Sequence, residues 1–218
     1  MSAVVCELGA SQLYPADVAS CRGGEFLRDD AIAFFFEHLR TVSARGARFL
    51  HPSVGMLAQF IDGGEDASAF AALDLRACDS AFLAVSDSAD AAAELSGSHW
   101  SLLHFSRDTG FCHYDSAEGG SAAERGGSRN FAAAARIAAS LAPVLGLPAD
   151  GAVLRRGRAP QQINNFDCGV HVCAAAEALA AGAEPSAAGI GAMRARLLAL
   201  ARAHQRGPAA AAFFASLG

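Results

Sequence analysis

Cys168 lies where a polar loop changes into a helical pattern, inside the segment PQQINNFDCGVHVC that runs from Pro160 to Cys173. Unpaired N–H groups and the positive end of the macrodipole at a helix start favour the thiolate, which is the reactive form of cysteine. Asp167 is predicted to be the N-cap residue, and Gly169 leaves little bulk beside the sulfur. A lone cysteine at a helix start is more often a small buried apolar residue, so a nucleophile is predicted only if a base lies nearby.

The segment SGSHWSLLHFSRDTGFCHYDS supplies a base upstream of the cysteine. HWSLLHF and FCHYDS are short, β-rich runs separated by SRDTG, whose Asp, Thr and Gly suit a tight turn, so the segment predicts a β-hairpin. His99 opens the first strand and Asp115 closes the second. Because these positions lie near the same open end of an antiparallel pair, we expect the imidazole and the carboxylate to be within hydrogen-bonding distance.

The chemistry that these residue types favour is acyl transfer. A carboxylate that accepts a hydrogen bond from one ring nitrogen of His99 fixes the tautomer and leaves the other nitrogen free to take the thiol proton. Negative charge then develops on the carbonyl oxygen of the substrate. Gln161 and Gln162, just before Cys168, are either polar loop residues or the source of a side-chain amide that stabilises this charge, and the position before the nucleophile favours the second interpretation.

Three motifs together, SHWSLL, HYDS and QQINNFDCGVHVC, resemble the catalytic segments of the sentrin-specific (ubiquitin-like-protein-specific) cysteine proteases, and most closely those of the deneddylase member. The resemblance implies that His99, Asp115 and Cys168 form a catalytic triad with Gln162 as oxyanion donor. It also implies an α+β, papain-like fold with a central mixed or antiparallel sheet flanked by helices. The implied reaction is cleavage after the C-terminal Gly-Gly of a ubiquitin-like modifier, with no metal or organic cofactor.

The resemblance extends to the channel that admits the modifier tail. The family's opening Trp-Leu-Asn-Asp segment corresponds to Phe26, Leu27, Arg28 and Asp29, so the Trp and the Asn are both replaced. The resemblance places Trp100 and Phe26 on the two sides of a narrow channel for glycines, and Asp29 against the basic tail of the modifier. Substrate-binding roles are therefore expected for Trp100, Phe26 and Asp29, and the lost Trp bears on how tightly the channel closes.

The choice of modifier depends on tail contacts and surface patches, which a catalytic motif does not contain. The HYDS segment and the FLAVSDSAD approach to His99 are more similar to the deneddylase than to the SUMO proteases. The expected partners are therefore a NEDD8-type modifier first and SUMO second, with their conjugates such as cullins. The alternatives are a SUMO protease, a thiol acyltransferase that uses the same triad, and an inactive module that only binds a modifier.

Composition indicates a compact protein in a reducing compartment. With 218 residues and 52% hydrophobic content the chain is long enough for a good core, and a single domain over residues 1–218 is expected. Six cysteines without a dense framework are expected as free thiols. No signal peptide or membrane span is predicted, which favours a soluble cytoplasmic or nuclear protein. The net charge of −5 argues against nucleic-acid binding, and neither nucleic acid nor membrane is an expected partner.

Hydrophobic patterns predict the elements around these motifs. AIAFFFEHLR, with Asp29 and Asp30 ahead of it as caps, predicts a buried helix, whereas AFLAVSD and AVLRRGR predict strands. Further helices are expected near residues 131–145, over residues 168–181, in MRARLLALARAHQ and in PAAAAFFASL. The small-residue loop that ends at Gly97 is either a gate over the substrate channel or an ordinary connection.

The other histidines and cysteines are expected to be structural. His104, His113 and His171 are predicted to be hydrogen-bonded residues of strands and helices, and Cys173 a core residue. Cys112 and His113 are adjacent, but the sequence has no CxxC pair and no HxxxH set, so a tetrahedral zinc site lacks its usual spacing. A metal site is therefore not predicted.

Overall fold

The computed structural model describes residues 3–61, 67–88, 97–118, 128, 130–148 and 151–217. Among these residues a mixed sheet has the spatial order β3-β4-β5-β6-β7, and a two-stranded hairpin pairs β1 with β2. Both pairs that include β5 are antiparallel, whereas β3 with β4 and β6 with β7 are parallel. The strands are β1 Cys6–Leu8, β2 Ser11–Leu13, β3 Ala47–Phe49, β4 Ser80–Ser86, β5 Trp100–Ser106, β6 Gly110–Tyr114 and β7 Leu154–Arg156.

Helices cover both faces of the five-stranded sheet, so the expected α+β fold with a mixed sheet flanked by helices is confirmed. Helices α2, α5 and α6 contribute to the core on one face, and α3 and α4 pack on the other. The helices are α1 Pro15–Ser20, α2 Asp29–Val42, α3 Pro52–Ala58, α4 Phe131–Leu141, α5 Cys168–Ala180, α6 Met193–Ala203 and α7 Gly207–Ser216.

Alternation along the central strands produces these two cores. Phe82 and Leu102 face the core that α2 and α5 share, whereas Leu83 and Leu103 face the core beneath α4. Successive side chains of a strand point to opposite faces, so a strand buried on both sides carries apolar residues at nearly every position. The run AFLAVS in β4 is therefore almost continuously apolar. Because β4 is packed on both faces, it forms a rigid neighbour for the β5 strand that follows His99.

The predicted hairpin is confirmed. Strands β5 and β6 are antiparallel, with Leu102 opposite Tyr114 and Ser106 opposite Gly110. Gly110 has a φ of +71°, in the left-handed region where a side chain is unfavourable, which explains the glycine at the end of the turn. This register brings the residue before β5, His99, and the residue after β6, Asp115, to the same end of the sheet.

Two predicted helix boundaries differ from the structure. Helix α2 begins at Asp29 with Arg28 at the N-cap position, so Asp29 and Asp30 lie in the first turn, where carboxylates interact favourably with the helix dipole, and do not cap it from outside. Helix α4 ends at Leu141 and does not continue to residue 145. Pro143, which has no N–H to donate, explains the early end.

The candidate gate before Gly97 falls mostly on residues 89–96, which lie outside the described residues. Among the described residues, none of the helices combines the length and the apolar character that crossing a membrane requires.

Candidate active site

Cys168 is the first residue of α5, and its side chain has 0% exposure. Asp167 occupies the N-cap position, as predicted, but its carboxylate makes no capping hydrogen bond. Arg194 Nη2 donates to this carboxylate at 2.7 Å, and Asn164 Nδ2 donates to it at 2.7 Å. The predicted N-cap position is therefore confirmed, while the carboxylate oxygens are used by Arg194 and Asn164 and not by the helix N–H groups.

His99 stands between the carboxylate and the thiol. Its Nε2 is 2.6 Å from Oδ1 of Asp115, and its ring also shares a hydrogen bond with the side chain of Cys168. Because Nε2 faces the carboxylate, Nδ1 is the ring nitrogen left for the sulfur. The structure thus brings the three predicted side chains together in the order carboxylate, imidazole, thiol.

The carboxylate of Asp115 has 0% exposure and is surrounded by donors. The hydroxyl of Ser128 donates to Oδ2, and the backbone N–H of Ala117 donates to Oδ1 at 2.9 Å. Burial alone would raise the pKa of Asp115, but the hydrogen bonds and the charge of His99 outweigh it and lower the pKa to about 2. The carboxylate is therefore ionised at neutral pH.

The imidazole of His99 holds its proton more tightly than an ordinary histidine. Burial by itself would lower the pKa of His99, but hydrogen bonds to Asp115 and Cys168 and the charges of these two groups raise it to about 9. At neutral pH the ring is therefore protonated beside the ionised carboxylate of Asp115. This arrangement can hold an imidazolium beside a thiolate, which is the reactive state of a cysteine nucleophile.

Two residues that hold the backbone of His99 were not identified in the sequence. The carboxylate of Asp87, just after β4, accepts from the backbone N–H of His99 at 2.9 Å and from that of Ser98 at 2.6 Å. Asn130, which is fully buried, donates from Nδ2 to the carbonyl oxygens of His99 at 3.3 Å and Val85 at 2.9 Å. Asp87 could have been suspected because it ends an apolar strand, but the contacts of Asn130 span 31 and 45 residues and follow no local spacing.

Gln162 is fastened to the residue that follows Asp115. Its backbone N–H donates to the carbonyl of Ser116 at 2.8 Å, and the hydroxyl of Ser116 donates to its Oε1 at 2.8 Å. One of the two N–H groups on Nε2 donates to the carbonyl of Asn164 at 2.7 Å. An amide with its oxygen occupied in this way presents its nitrogen to other groups, and one N–H beyond the bond to Asn164 can serve an oxyanion.

The predicted channel residues lie on two separate elements. Trp100 begins β5 directly after His99 and is half-buried against the core of α2 and α5. Phe26 is 52% exposed on the segment that leads into α2, and Asp29 is partly exposed in the first turn of that helix. Leu27 connects this segment to the nucleophile helix, because a Cβ at Gly169 would lie 2.8 Å from the Leu27 Cβ.

A surface pocket includes Cys168 in its lining. Its lining includes Trp100, Ser116, Pro160, Cys168 and His171. The pocket gives a substrate a route to the sulfur, which is otherwise covered. Among the described residues, no group of three or more His, Cys, Asp and Glu side chains is placed to hold a metal ion.

The histidines outside this site depart in part from the prediction. His104 is stacked on Phe82 with ring centroids 4.6 Å apart, and burial lowers its pKa to about 4. His113 bonds Ser101 through Nε2, but the described part of the chain offers no hydrogen-bond partner to its buried Nδ1 or to the buried Nδ1 of His171. The expected hydrogen bonding therefore holds for His113 through Ser101 and for His171 through the backbone of Pro160, but not for their Nδ1 atoms. Cys173 is a core residue, as predicted, and the six cysteines are free thiols.

Comparison with known proteins agrees with this geometry. Residues 93–198 match the model of the Ulp1 protease family, C-terminal catalytic domain. Sentrin-specific protease 8 of Homo sapiens is 32% identical over 188 residues, which are 82% of this chain and 82% of that protein. The rat protein of the same name is 31% identical over 185 residues, covering 82% of this chain and 80% of the relative.

Solved structures of low sequence identity share the fold. The SUMO protease Ulp1 with its catalytic cysteine oxidised to a sulfonic acid superposes with a TM-score of 0.71 at 16% identity, covering 90% of this chain and 87% of that one. The C-terminal Ulp1 protease domain in complex with Smt3, the yeast orthologue of SUMO, gives a TM-score of 0.69 at 16% identity, covering 94% and 89%. With a relative above 30% identity over most of both chains, this chain belongs to the Ulp1 protease family and is a cysteine protease of the Ulp1 type.

Proposed function

We propose that this chain is a deneddylase, which cleaves after the C-terminal Gly-Gly of a NEDD8-type modifier and releases it from precursors or from lysines of conjugates such as cullins. Membership of the Ulp1 family makes the chain an isopeptidase for ubiquitin-like modifiers, and the proposal concerns the modifier and the residues. The proposed residue roles are best supported by the contact of His99 with Asp115 at 2.6 Å on one side and Cys168 on the other. The proposed modifier is best supported by the 32% identity with sentrin-specific protease 8 of Homo sapiens.

The first step under this proposal is attack by sulfur. His99 holds the thiol proton as an imidazolium, and the Cys168 thiolate attacks the carbonyl carbon of the terminal modifier glycine. Asp115 stabilises the imidazolium and fixes the ring so that Nδ1 faces the sulfur. His99 then gives the proton to the leaving lysine amine, which departs and leaves a thioester between Cys168 and the modifier.

The second step hydrolyses the thioester. His99, now neutral, takes a proton from a water molecule, and the resulting hydroxide attacks the same carbonyl carbon. In both steps the carbonyl oxygen carries negative charge, which the free N–H of Gln162 and the backbone N–H of Cys168 stabilise. The attack of water releases the modifier with a free C-terminal carboxylate and restores the thiol.

Motif resemblance and identity support the NEDD8-type modifier over SUMO. The HYDS segment and the approach to His99 resemble the deneddylase, and the curated relatives with 31% and 32% identity are both named sentrin-specific protease 8. The SUMO proteases that superpose on this chain share only 16% of its residues, so they support its fold and not a choice of modifier. Asp29, partly exposed at the start of α2, is available for a basic residue of the modifier tail.

A side-by-side assay tests the substrate. Purified protein should cleave a NEDD8-type fusion faster than SUMO or ubiquitin fusions, and a modifier with a C-terminal electrophile should label it. Cys168→Ser should abolish labelling, because the thiolate is the nucleophile, whereas Cys112→Ser, which removes a half-buried thiol outside the site, should not. Faster cleavage of SUMO would replace the deneddylase assignment with a SUMO protease, and labelling of the Cys168→Ser variant would contradict the assigned nucleophile.

Removal of the side-chain amide tests the oxyanion donor. Gln162→Ala should lower kcat by about 100-fold with little change in KM, because the amide acts on charge that is present only in the transition state. Ser116→Ala should lower kcat less, since it keeps the amide of Gln162 and removes only the hydroxyl that orients it. Steady-state kinetics with a modifier fusion measure both, and an unchanged kcat in Gln162→Ala would remove this residue from the mechanism.

The replaced channel residue offers a test of selectivity. Phe26→Trp should make cleavage more selective for one modifier, because a larger ring on the exposed side of the channel restricts the tail more than Phe does. The intrinsic reactivity of Cys168 towards iodoacetamide should stay the same. The measurement is the ratio of kcat/KM for the three modifier fusions, and identical ratios before and after the change would count against a channel wall at this position.

The protonation of His99 predicts a pH dependence of stability. The pKa of His99 is about 9 in the folded chain and 6.5 in its ordinary state, so its protonation stabilises the fold. This contribution is complete below pH 6.5 and is lost as the pH rises through about 9. The free energy of unfolding of the wild type, relative to His99→Gln, should therefore fall by up to about 3 kcal/mol over this range. Urea unfolding at several pH values measures the free energy of unfolding of both proteins. If the difference between wild type and His99→Gln did not change with pH, the buried ion pair would be contradicted.

A further inference from the structure

The segment that carries Phe26 has no regular secondary structure of its own. Between α1 and α2 the backbone forms turns and bends, and residues 22–26 are exposed. Gly24 has a φ of +87° and, like Gly23, meets no atom within 4 Å of a Cβ placed on it, so the middle of the segment is not packed. Whatever fixes the position of Phe26 must therefore act at a few points on this backbone.

One side chain, Arg194 on α6, binds the backbone of this segment repeatedly. Its Nη1 donates to the carbonyl oxygens of Ser20 at 2.8 Å and of Arg22, and its Nη2 donates to the carbonyl of Glu25 at 2.6 Å. Ser20 is the buried last residue of α1, whereas Arg22 and Glu25 lie near the two ends of the exposed stretch. The side chain of Arg194 is only 15% exposed, although the acceptor residues Arg22 and Glu25 lie at the surface.

The same guanidinium binds the residues that precede the nucleophile. Arg194 Nε and Nη2 donate to Oδ1 of Asp167 at 2.9 and 2.7 Å, and Nη2 lies 3.3 Å from the carbonyl of Phe166. Asp167 is the N-cap residue of α5, directly before Cys168. All five N–H donors of the guanidinium are thus used, and they connect the Phe26 segment to the base of the nucleophile helix.

The other attachments of the segment leave a gap that Arg194 fills. Leu27 packs on Gly169, and Arg28 pairs with Asp17 at 2.7 Å, so residues from 27 onwards are held by side-chain contacts. The stretch before Phe26, by contrast, is held by the hydrogen bonds that its carbonyl oxygens accept from Arg194. A simple ion pair between Arg194 and Asp167 would explain one acceptor, but not the carbonyl at the end of α1 and the two carbonyls of the exposed stretch.

We propose that Arg194 is a positioning residue that sets the place of the Phe26 segment relative to Cys168, and that it thereby determines the affinity for the modifier tail. The proposal rests on the proposed function, in which Phe26 forms one side of the tail channel. Arg194 touches neither the thiol nor the imidazole in any bond described for it, so it acts through backbone that it holds and not on the reaction itself.

Arg194→Lys is the variant of choice for a test. Lysine keeps the positive charge beside Asp167, which protects the fold, but its single ammonium has no planar fork and reaches fewer of the acceptors. Arg196→Lys is the matched control: it lies on the same helix, pairs with Glu177 on the surface and has no bond to the Phe26 segment.

Hydrogen–deuterium exchange reads the position of the segment without any substrate. In Arg194→Lys the peptide covering residues 20–27 should exchange about tenfold faster, because opening of a segment held by fewer bonds is easier. The peptide covering the interior of α5 should be unchanged, and Arg196→Lys should match the wild type. Unchanged exchange of residues 20–27 in Arg194→Lys would overturn the proposal.

Kinetics then separate tail binding from chemistry. KM for the preferred modifier fusion should rise about tenfold in Arg194→Lys, with kcat within about twofold, because a looser channel wall weakens binding of substrate and transition state alike. The rate of alkylation of Cys168 by iodoacetamide should stay within about twofold of the wild type.

The remaining outcomes are distinguishable. Faster exchange with an unchanged KM, or a loss of alkylation as large as the loss of cleavage, would overturn the role in tail binding. Failure of the wild type to cleave any modifier fusion would refute the proposed function and the tail-binding role with it, whereas the exchange rates would still decide whether Arg194 holds the segment.

Discussion

The constraint on which the structure depends is the burial of an ionised carboxylate. Asp115 has 0% exposure, and a buried charge is costly unless it is paired and hydrogen-bonded. His99, Ser128 and the N–H of Ala117 provide the partners. Because His99 precedes β5 and Asp115 follows β6, any slip of that hairpin would separate the two groups and leave the carboxylate unpaired. The doubly buried central strands supply the rigidity that prevents such a slip.

Satisfying one buried charge draws further segments to the same end of the sheet. Ser128 and Asn130, two residues apart before α4, bind Asp115 and the carbonyl of His99 respectively, so one short segment supports both members of the pair. Asp87, directly after β4, accepts a hydrogen bond from the backbone N–H of His99. The imidazole is thus fixed by its side-chain partner and by its backbone. Such fixing matters for catalysis, because a nucleophile and its base must already be aligned when the substrate arrives.

The sequence predicts what depends on neighbours along the chain and misses what depends on distant residues. The hairpin, the helix that starts at Cys168 and the buried helix α2 follow from local alternation, turn residues and helical periodicity. The carboxylate of Asp167 shows the limit of local rules. They predict that it caps the helix, but it accepts a hydrogen bond from Arg194, 27 residues further along the chain. The support of His99 by Asn130 is likewise beyond local patterns, because 31 residues separate the two and only the folded sheet brings them together.

The burial of Cys168 connects chemistry to selectivity under the proposed function. Cys168 has 0% exposure and contributes to the lining of the pocket beside Trp100, so a substrate is expected to approach the sulfur along that pocket. A chain without β-carbons meets the least steric resistance there, and glycine also adopts backbone conformations that other residues avoid. The walls that shield the thiol from water would therefore also favour a Gly-Gly tail. Selectivity among modifiers would then depend less on the triad than on how firmly the Phe26 side of that channel is held.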